Sequence, residues 1–194
     1  ILATGAIENA LAFPGWTLPG VMGAGAAQTL MHIHRLKPGN RVLMVGSGNV
    51  GLIVTYQLLQ AGVEVVGLVE AANKISGYLV HARKIQRAGV PIYLSTTVKS
   101  ATGENRVEGA ELVSLDSKFE PIVGTEESIE VDTICIATGL TPLSELAWMA
   151  GCKFSYVRDL AGFTPLHDES MRSSNSKVYV AGDIAGIEEA SSAM

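Results

Sequence analysis

Residues 42–51 read VLMVGSGNVG: a short apolar run followed by Gly46-Ser47-Gly48-Asn49-Val50-Gly51. The apolar run suits a buried strand, and the glycine cluster suits a tight turn into a helix that begins near Asn49. A GxGxxG spacing alone is a weak signal. Here it follows a predicted strand and opens a predicted helix, and the next strand ends on a carboxylate, Glu70. That is the context a dinucleotide-binding turn requires. Gly46 allows the tight turn, Gly48 lets backbone reach a pyrophosphate, and Gly51 lets the helix pack on the strand. The helix N-terminus offers N–H groups and a positive dipole to phosphates. No Lys-Ser/Thr pair follows Gly51, so this is not an ATP phosphate loop. Glu70 is placed to bind adenosine ribose hydroxyls and to repel a 2′-phosphate, which favours NAD over NADP. The alternatives are a mere strand-to-helix turn and a solvated strand-end acid. Lys74 is the one nearby residue that argues for NADP.

Outward from this turn, strands and helices alternate. The pattern predicts a helix over 24–36, a strand over 41–45, a helix over 49–61 capped by Gly62, and a strand over 63–69. A helix over 76–88, basic on one side, and a strand over 92–94 follow. Residues 97–130 alternate and carry turn signals, which predicts an antiparallel meander. Residues 133–137 return to the buried-strand type, 142–150 predict a short helix, 151–176 read as polar loop, and 178–181 as a last buried strand. Residues 1–5, ILATG, read as a strand end and glycine turn, and 13–23 as a connector. The fold class is α/β: a doubly wound, Rossmann-like parallel sheet with an inserted antiparallel β-meander. ILATG at the start and CIATG at 135–139 echo one another and suggest two related halves.

The 194 residues are 47% hydrophobic and only 17% charged. Typical soluble domains are about a quarter charged. The deficit fits strands buried on both faces, or an apolar surface that meets a partner and favours self-association. A net charge of -5 with no basic run argues against nucleic acid or an anionic membrane surface as partner. Cys135 and Cys152 are too far apart for a CxxC pair, and Cys135 in TICIA reads as a small buried hydrophobe. With no signal peptide and no long apolar span, the chain reads as cytoplasmic. His32 and His34, two apart on a predicted helix, face different ways and make a poor metal pair. His81 and His167 are isolated. Trp16 and Trp148 read as packing residues.

Taken in order, four motifs resemble the two-dinucleotide flavoprotein reductases, the pyridine nucleotide–disulfide oxidoreductase superfamily. Ala3-Thr4-Gly5 matches the first ATG turn, Gly46–Gly51 the nicotinamide fingerprint, Ala137-Thr138-Gly139 the second ATG turn, and Gly182-Asp183 the GD motif. Residues 168–183, DESMRSSNSKVYVAGD, also resemble the approach to that motif. The resemblance implies that Asp183 binds the ribityl chain of FAD and that an NAD domain, 21–140, interrupts an FAD domain. Residues 1–20 are then an FAD-domain remnant with a connector, and 141–194 its return segment. The family's flavin fingerprint would lie before Ile1, so the chain is expected to be a fragment that ends, at IEEASSAM, where a helix starts. GAAQTLMH, LKPGNRVL, QAGVEVVGLVEAA and AGDIAGIEEAS are similar to the large subunits of amino-acid and opine dehydrogenases and of hydrogen cyanide synthase.

The resulting expectation is the NAD(H)-binding part of a flavin-dependent oxidoreductase, with FAD present in the full-length protein. Hydride would pass between NADH and FAD, and electrons to or from a small-molecule redox substrate or a partner redox subunit. No protein acid or base is needed for that transfer, so no catalytic residue is named. A nucleotide-binding module without catalysis is the competing class. A single-cofactor NAD dehydrogenase would need a substrate domain with a catalytic His or Lys, and no stretch is long enough for one.

Overall fold

The computed structural model describes residues 1–187. Residues 188–194, most of the expected terminal helix start, lie outside the described residues. In chain order the elements are β1 (Ala6–Glu8), β2 (Val21–Gly23), α1 (Ala24–His32), β3 (Arg41–Val45), α2 (Asn49–Gln60), β4 (Glu64–Glu70), α3 (Leu79–Arg87), β5 (Ile92–Leu94), β6 (Thr96–Thr102), β7 (Gly109–Ser114), β8 (Glu127–Ile129), β9 (Thr133–Ile136), β10 (Leu140–Pro142), α4 (Glu145–Met149), β11 (Phe154–Val157) and β12 (Gly162–Pro165). Two compact units result: Ala10–Thr138, and Ile1–Asn9 together with the described residues from Gly139 onward.

In the larger unit a parallel sheet runs in the order β2-β9-β3-β4-β5. Period-two alternation along β3 explains its layering. Val42 and Met44 point into one core with α1, α2 and α3, through Ala27, Leu52, Leu58 and Ile85. Leu43 and Val45 point into the opposite core, where the antiparallel meander β6-β7-β8 supplies Val98, Ala101, Ala110 and Leu112. Helices therefore cover one face of the sheet and the meander covers the other. Both faces are dry, which is why these strands read as unbroken apolar runs. Asp132 fixes the edge where β3 and β9 begin. Its carboxylate accepts from the Asn40 and Arg41 N–H groups and from the Thr133 hydroxyl.

In the smaller unit β1 pairs antiparallel with β10, and β11 with β12. The strand after the first ATG thus lies against the strand after the second. Thr4 donates its hydroxyl to the Leu143 carbonyl, and Leu143 N–H donates to the Gly5 carbonyl. A small core joins Ala147, Cys152, Val180 and Ile184.

Several boundaries differ from the sequence reading. Helix α1 stops at His32, four residues early, where the chain turns through Arg35 at φ 57°. The connector 13–23 ends in a strand, β2, and Phe13 and Leu18 join the meander core. Residues 178–181 form no strand: Val180 and Tyr179 make single bridges to Leu2 and Arg172, and Val180 is the buried residue of the four. Ile1 is exposed, so ILATG is not buried strand either. Pro142 belongs to β10, not to α4, because it pairs with Ala6 across the two strands. The polar stretch 151–176 hides the β11–β12 hairpin, whose turn passes through Ala161 at φ 65° and Gly162. Trp148 stacks on Phe154 at 3.8 Å and meets Phe163 edge-on, so it is a packing residue, although half exposed.

Leu68, fully buried in β4 against the helices, tests this layering. Leu68→Ala is expected to remove about 2–5 kcal/mol of stability, read as a lower urea midpoint. An unchanged midpoint would mean that this face of the sheet is not packed.

Candidate functional site

The direction of chain winding reverses between β3 and β9. From β3 the chain proceeds outward through α2, β4, α3 and β5, whereas β9 and β2 lie on the other side. Open α/β sheets bind ligands at such a switch point, beyond the carboxyl ends of the strands. Val45 and Ile136 end the two strands in register, so Gly46 and Ala137 emerge side by side. Ala137 N–H donates to the Val45 carbonyl at 2.7 Å, and Gly46 N–H to the Val69 carbonyl at 2.8 Å.

The three fingerprint glycines divide into two kinds. Gly46 has φ 103°, and a Cβ on it would overlap the Ala137 carbonyl oxygen. A Cβ on Gly51 would overlap the Gly46 oxygen. Both are glycine because the fold leaves no room. Gly48 is different. Its φ of -63° and ψ of 170° suit any residue, and a Cβ there would have nothing within 4 Å. It heads helix α2 and faces open space, the cradle that a bound phosphate group requires. Val50, in the first turn of the same helix, is 41% exposed.

Glu70, at the end of β4, reaches this turn. Its Oε2 accepts from Ser47 N–H at 2.9 Å, from the Ser47 hydroxyl, and from the Ser76 hydroxyl at 3.2 Å. Its Oε1 accepts from Ala72 N–H at 2.9 Å. Burial alone would push this carboxyl up. The Ser47 hydroxyl, the two N–H groups and the Ser76 hydroxyl outweigh it and hold Glu70 below the usual glutamate range, hence ionised.

The sequence reading missed the segment that follows. Helix α3 starts at Leu79 rather than at 76, because 76–78 bond to the fingerprint instead, with Tyr78 extended as the residue before the helix. Ser76 N–H donates to the Ser47 hydroxyl at 3.0 Å, Gly77 N–H to the Ser47 carbonyl at 2.8 Å, and Tyr78 N–H to the Asn49 side chain at 2.8 Å. A Cβ on Gly77 would lie 2.8 Å from the Asn49 nitrogen and from Leu52. The signal was a glycine inside a predicted helix, Ser76-Gly77-Tyr78.

Ala137 and Thr138 thus lie with the fingerprint and Glu70 in the larger unit. Gly139, with φ 117° and its carbonyl accepting from Asn9 N–H, belongs to the smaller unit. So do Gly182, at φ 72°, and Asp183, in the first turn of a short 3-10 helix, Gly182–Ala185. Cys135 and Cys152 are both buried. No helix of the described residues is long and apolar enough to cross a membrane.

The family described as pyridine nucleotide-disulphide oxidoreductase matches residues 1–194. The chain belongs to that family. Its members are oxidoreductases that bind FAD and NAD(P). Relatives include an opine oxidase subunit of Agrobacterium tumefaciens, 28% identical over the whole chain and 40% of that protein. Hydrogen cyanide synthase subunit HcnB of Pseudomonas aeruginosa is 28% identical over the whole chain and 45% of its own length. The chain therefore spans less than half the length of these curated relatives. Thioredoxin reductase of T. acidophilum shares the fold, with a TM-score of 0.76 over 97% of this chain and 58% of that one, at 23% identity.

The Glu70 cluster carries a pH signature. A carboxyl held low in the fold contributes stability above its unfolded pKa and loses it as pH falls through the folded value. The stability gap between the protein and its Glu70→Gln variant is therefore expected to be widest near neutrality and to shrink as pH falls below the usual glutamate range, followed by urea midpoints. A gap that does not change with pH would show that Glu70's charge is not held by these donors.

Proposed function

We propose that the larger unit binds NADH at Gly46–Gly51 and Glu70, and that the longer protein exchanges hydride between NADH and FAD. The observation that carries this reading is Gly48. The fold has no internal need for glycine there, yet the position is bare and faces open space at the head of α2. Gly46, Ser47, Gly48, Asn49, Val50 and Gly51 form the pyrophosphate turn, with helix N–H groups and dipole toward the anion. The ionised Glu70 meets the adenosine ribose and repels a 2′-phosphate, which favours NADH over NADPH. Ala137, Thr138 and Gly139 line the second turn of the cofactor path, and Gly182 and Asp183 face the flavin's ribityl chain. Bound together, the dihydronicotinamide and the flavin supply the chemistry, a two-electron hydride exchange. The chain's residues bind, orient and exclude water, and none is required to move a proton.

The names of the relatives support a second reading. The opine oxidase relative and HcnB are both named as subunits, and opine oxidase is named for an amino-acid-derived substrate. In that reading electrons arrive from such a substrate on a partner redox subunit. Nucleotide binding without catalysis by this chain alone is compatible with both.

Titration of the purified protein with NADH and with NADPH, by calorimetry, tests the reading. Gly48→Val is expected to cost no more than about 1 kcal/mol of stability, that of a poorer helix N-cap, while NADH binding is lost. Retained binding would reduce the fingerprint to a turn. Glu70→Ala loosens Ser47 as well as the ribose site, so its informative readout is the ratio of the two affinities. The NADH preference is expected to fall toward unity, and a preserved ratio would remove Glu70 from nucleotide choice.

A further inference from the structure

Glu70 is already saturated on one side. A carboxylate offers about four acceptor positions in all. Its Oε2 receives three donors, the Ser47 N–H, the Ser47 hydroxyl and the Ser76 hydroxyl, and its Oε1 receives one, the Ala72 N–H. A ribose diol that presents both hydroxyls to this carboxylate reaches the less crowded Oε1 with one, and on Oε2, which already accepts three donors, the other can only replace a donor that is there. One of the internal donors has to give way.

The donors differ in how firmly they are held. Two are backbone N–H groups fixed by the turn after β3 and by the end of β4. The Ser47 hydroxyl is on a fully buried side chain. Ser76 is exposed, its bond to Oε2 is the longest of the set at 3.2 Å, and its oxygen also lies 3.2 Å from the Ser47 oxygen. The Ser47 hydrogen is committed to Glu70, so the single Ser76 hydroxyl hydrogen is shared between Glu70 Oε2 and the Ser47 oxygen. It can leave the carboxylate and keep a partner. Its backbone is independently tied, through Ser76 N–H to the Ser47 hydroxyl and Gly77 N–H to the Ser47 carbonyl.

We infer that the Ser76 hydroxyl is an internal stand-in for a ribose hydroxyl. It holds the solvent-facing acceptor position of Glu70 in the nucleotide-free protein and yields it when the adenosine ribose binds. Ser76 therefore sets nucleotide affinity without itself being a nucleotide ligand. The inference rests on the dinucleotide reading above and names a residue that tunes that site.

The sign of one change separates this role from a merely structural one. If Ser76 only ordered the segment 76–78, removing its hydroxyl would weaken binding. If it competes with ribose, removing it strengthens binding. Calorimetric titration with NADH is therefore made on the protein, Ser76→Ala, Ser76→Thr, Glu70→Ala and the Glu70→Ala/Ser76→Ala double variant. Ser76→Ala is expected to bind NADH about three- to tenfold more tightly, the worth of one modest hydrogen bond. Ser76→Thr, which keeps the hydroxyl, is expected to match the parent. The gain is expected to vanish in the Glu70→Ala background, since there is no carboxylate to compete for. Binding by the parent with equal or weaker binding by Ser76→Ala overturns the inference and leaves the dinucleotide reading standing. So does an undiminished gain in the Glu70→Ala background. Absence of NADH and NADPH binding in every variant overturns the dinucleotide reading itself, and this inference with it.

Discussion

The bond between Ser47 and Glu70 is the constraint on which this site depends. Ser47 lies in a turn that must reverse a buried strand into a helix, and its side chain is fully buried there. A buried hydroxyl and N–H without partners would each cost about 1–3 kcal/mol. Glu70 accepts from both. The end of β4 thus holds the turn that follows β3, and the parallel pairing of those strands places it within reach. The carboxylate is then an ionised brace for the backbone of the turn.

The layering explains why the site forms where it does. Helices α1, α2 and α3 cover one face of the sheet, and the meander covers the other. At the carboxyl ends of β3 and β9 winding reverses, and Gly46 and Ala137 emerge side by side. The close approach there is backbone to backbone: any side chain on Gly46 would meet the Ala137 carbonyl. Ala137 and the fingerprint are therefore packing partners.

What the sequence showed well was whatever the buried sheet imposes on residue type. Strands β3 and β5 matched residue for residue, and α2 and the meander matched within a residue or two at their ends, because period and turn residues act locally. Glu70 was legible from its distance to the fingerprint. Ser76 and Gly77 were not. They interact through backbone groups and one small hydroxyl, and the helical periodicity of the residues after them extended the predicted helix backward over them. The β11–β12 hairpin was hidden for a related reason. Its pairing is carried by main-chain bonds between half-exposed residues, and its turn uses Ala161 in a left-handed conformation, where a sequence reader looks for Gly or Asn. The strand expected at 178–181 failed in the opposite sense. Its apolar residues were real, but single bridges to Leu2 and Arg172 do not extend into a ladder.

The fingerprint's glycines show how fold and function can be separated at single residues. At Gly46 and Gly51 the missing side chain is explained by the chain's own atoms, so those glycines alone would be compatible with a turn that binds nothing. Gly77 is of the same kind, pressed against the Asn49 nitrogen and Leu52. Gly48 has an ordinary extended conformation and empty space beyond it. Gly48 is thus free to carry a side chain, at the head of a helix and beside an ionised acid at a topological switch point. On the proposed reading that space receives a phosphate group, whose close approach to the backbone is the chemistry that a bare helix end accommodates.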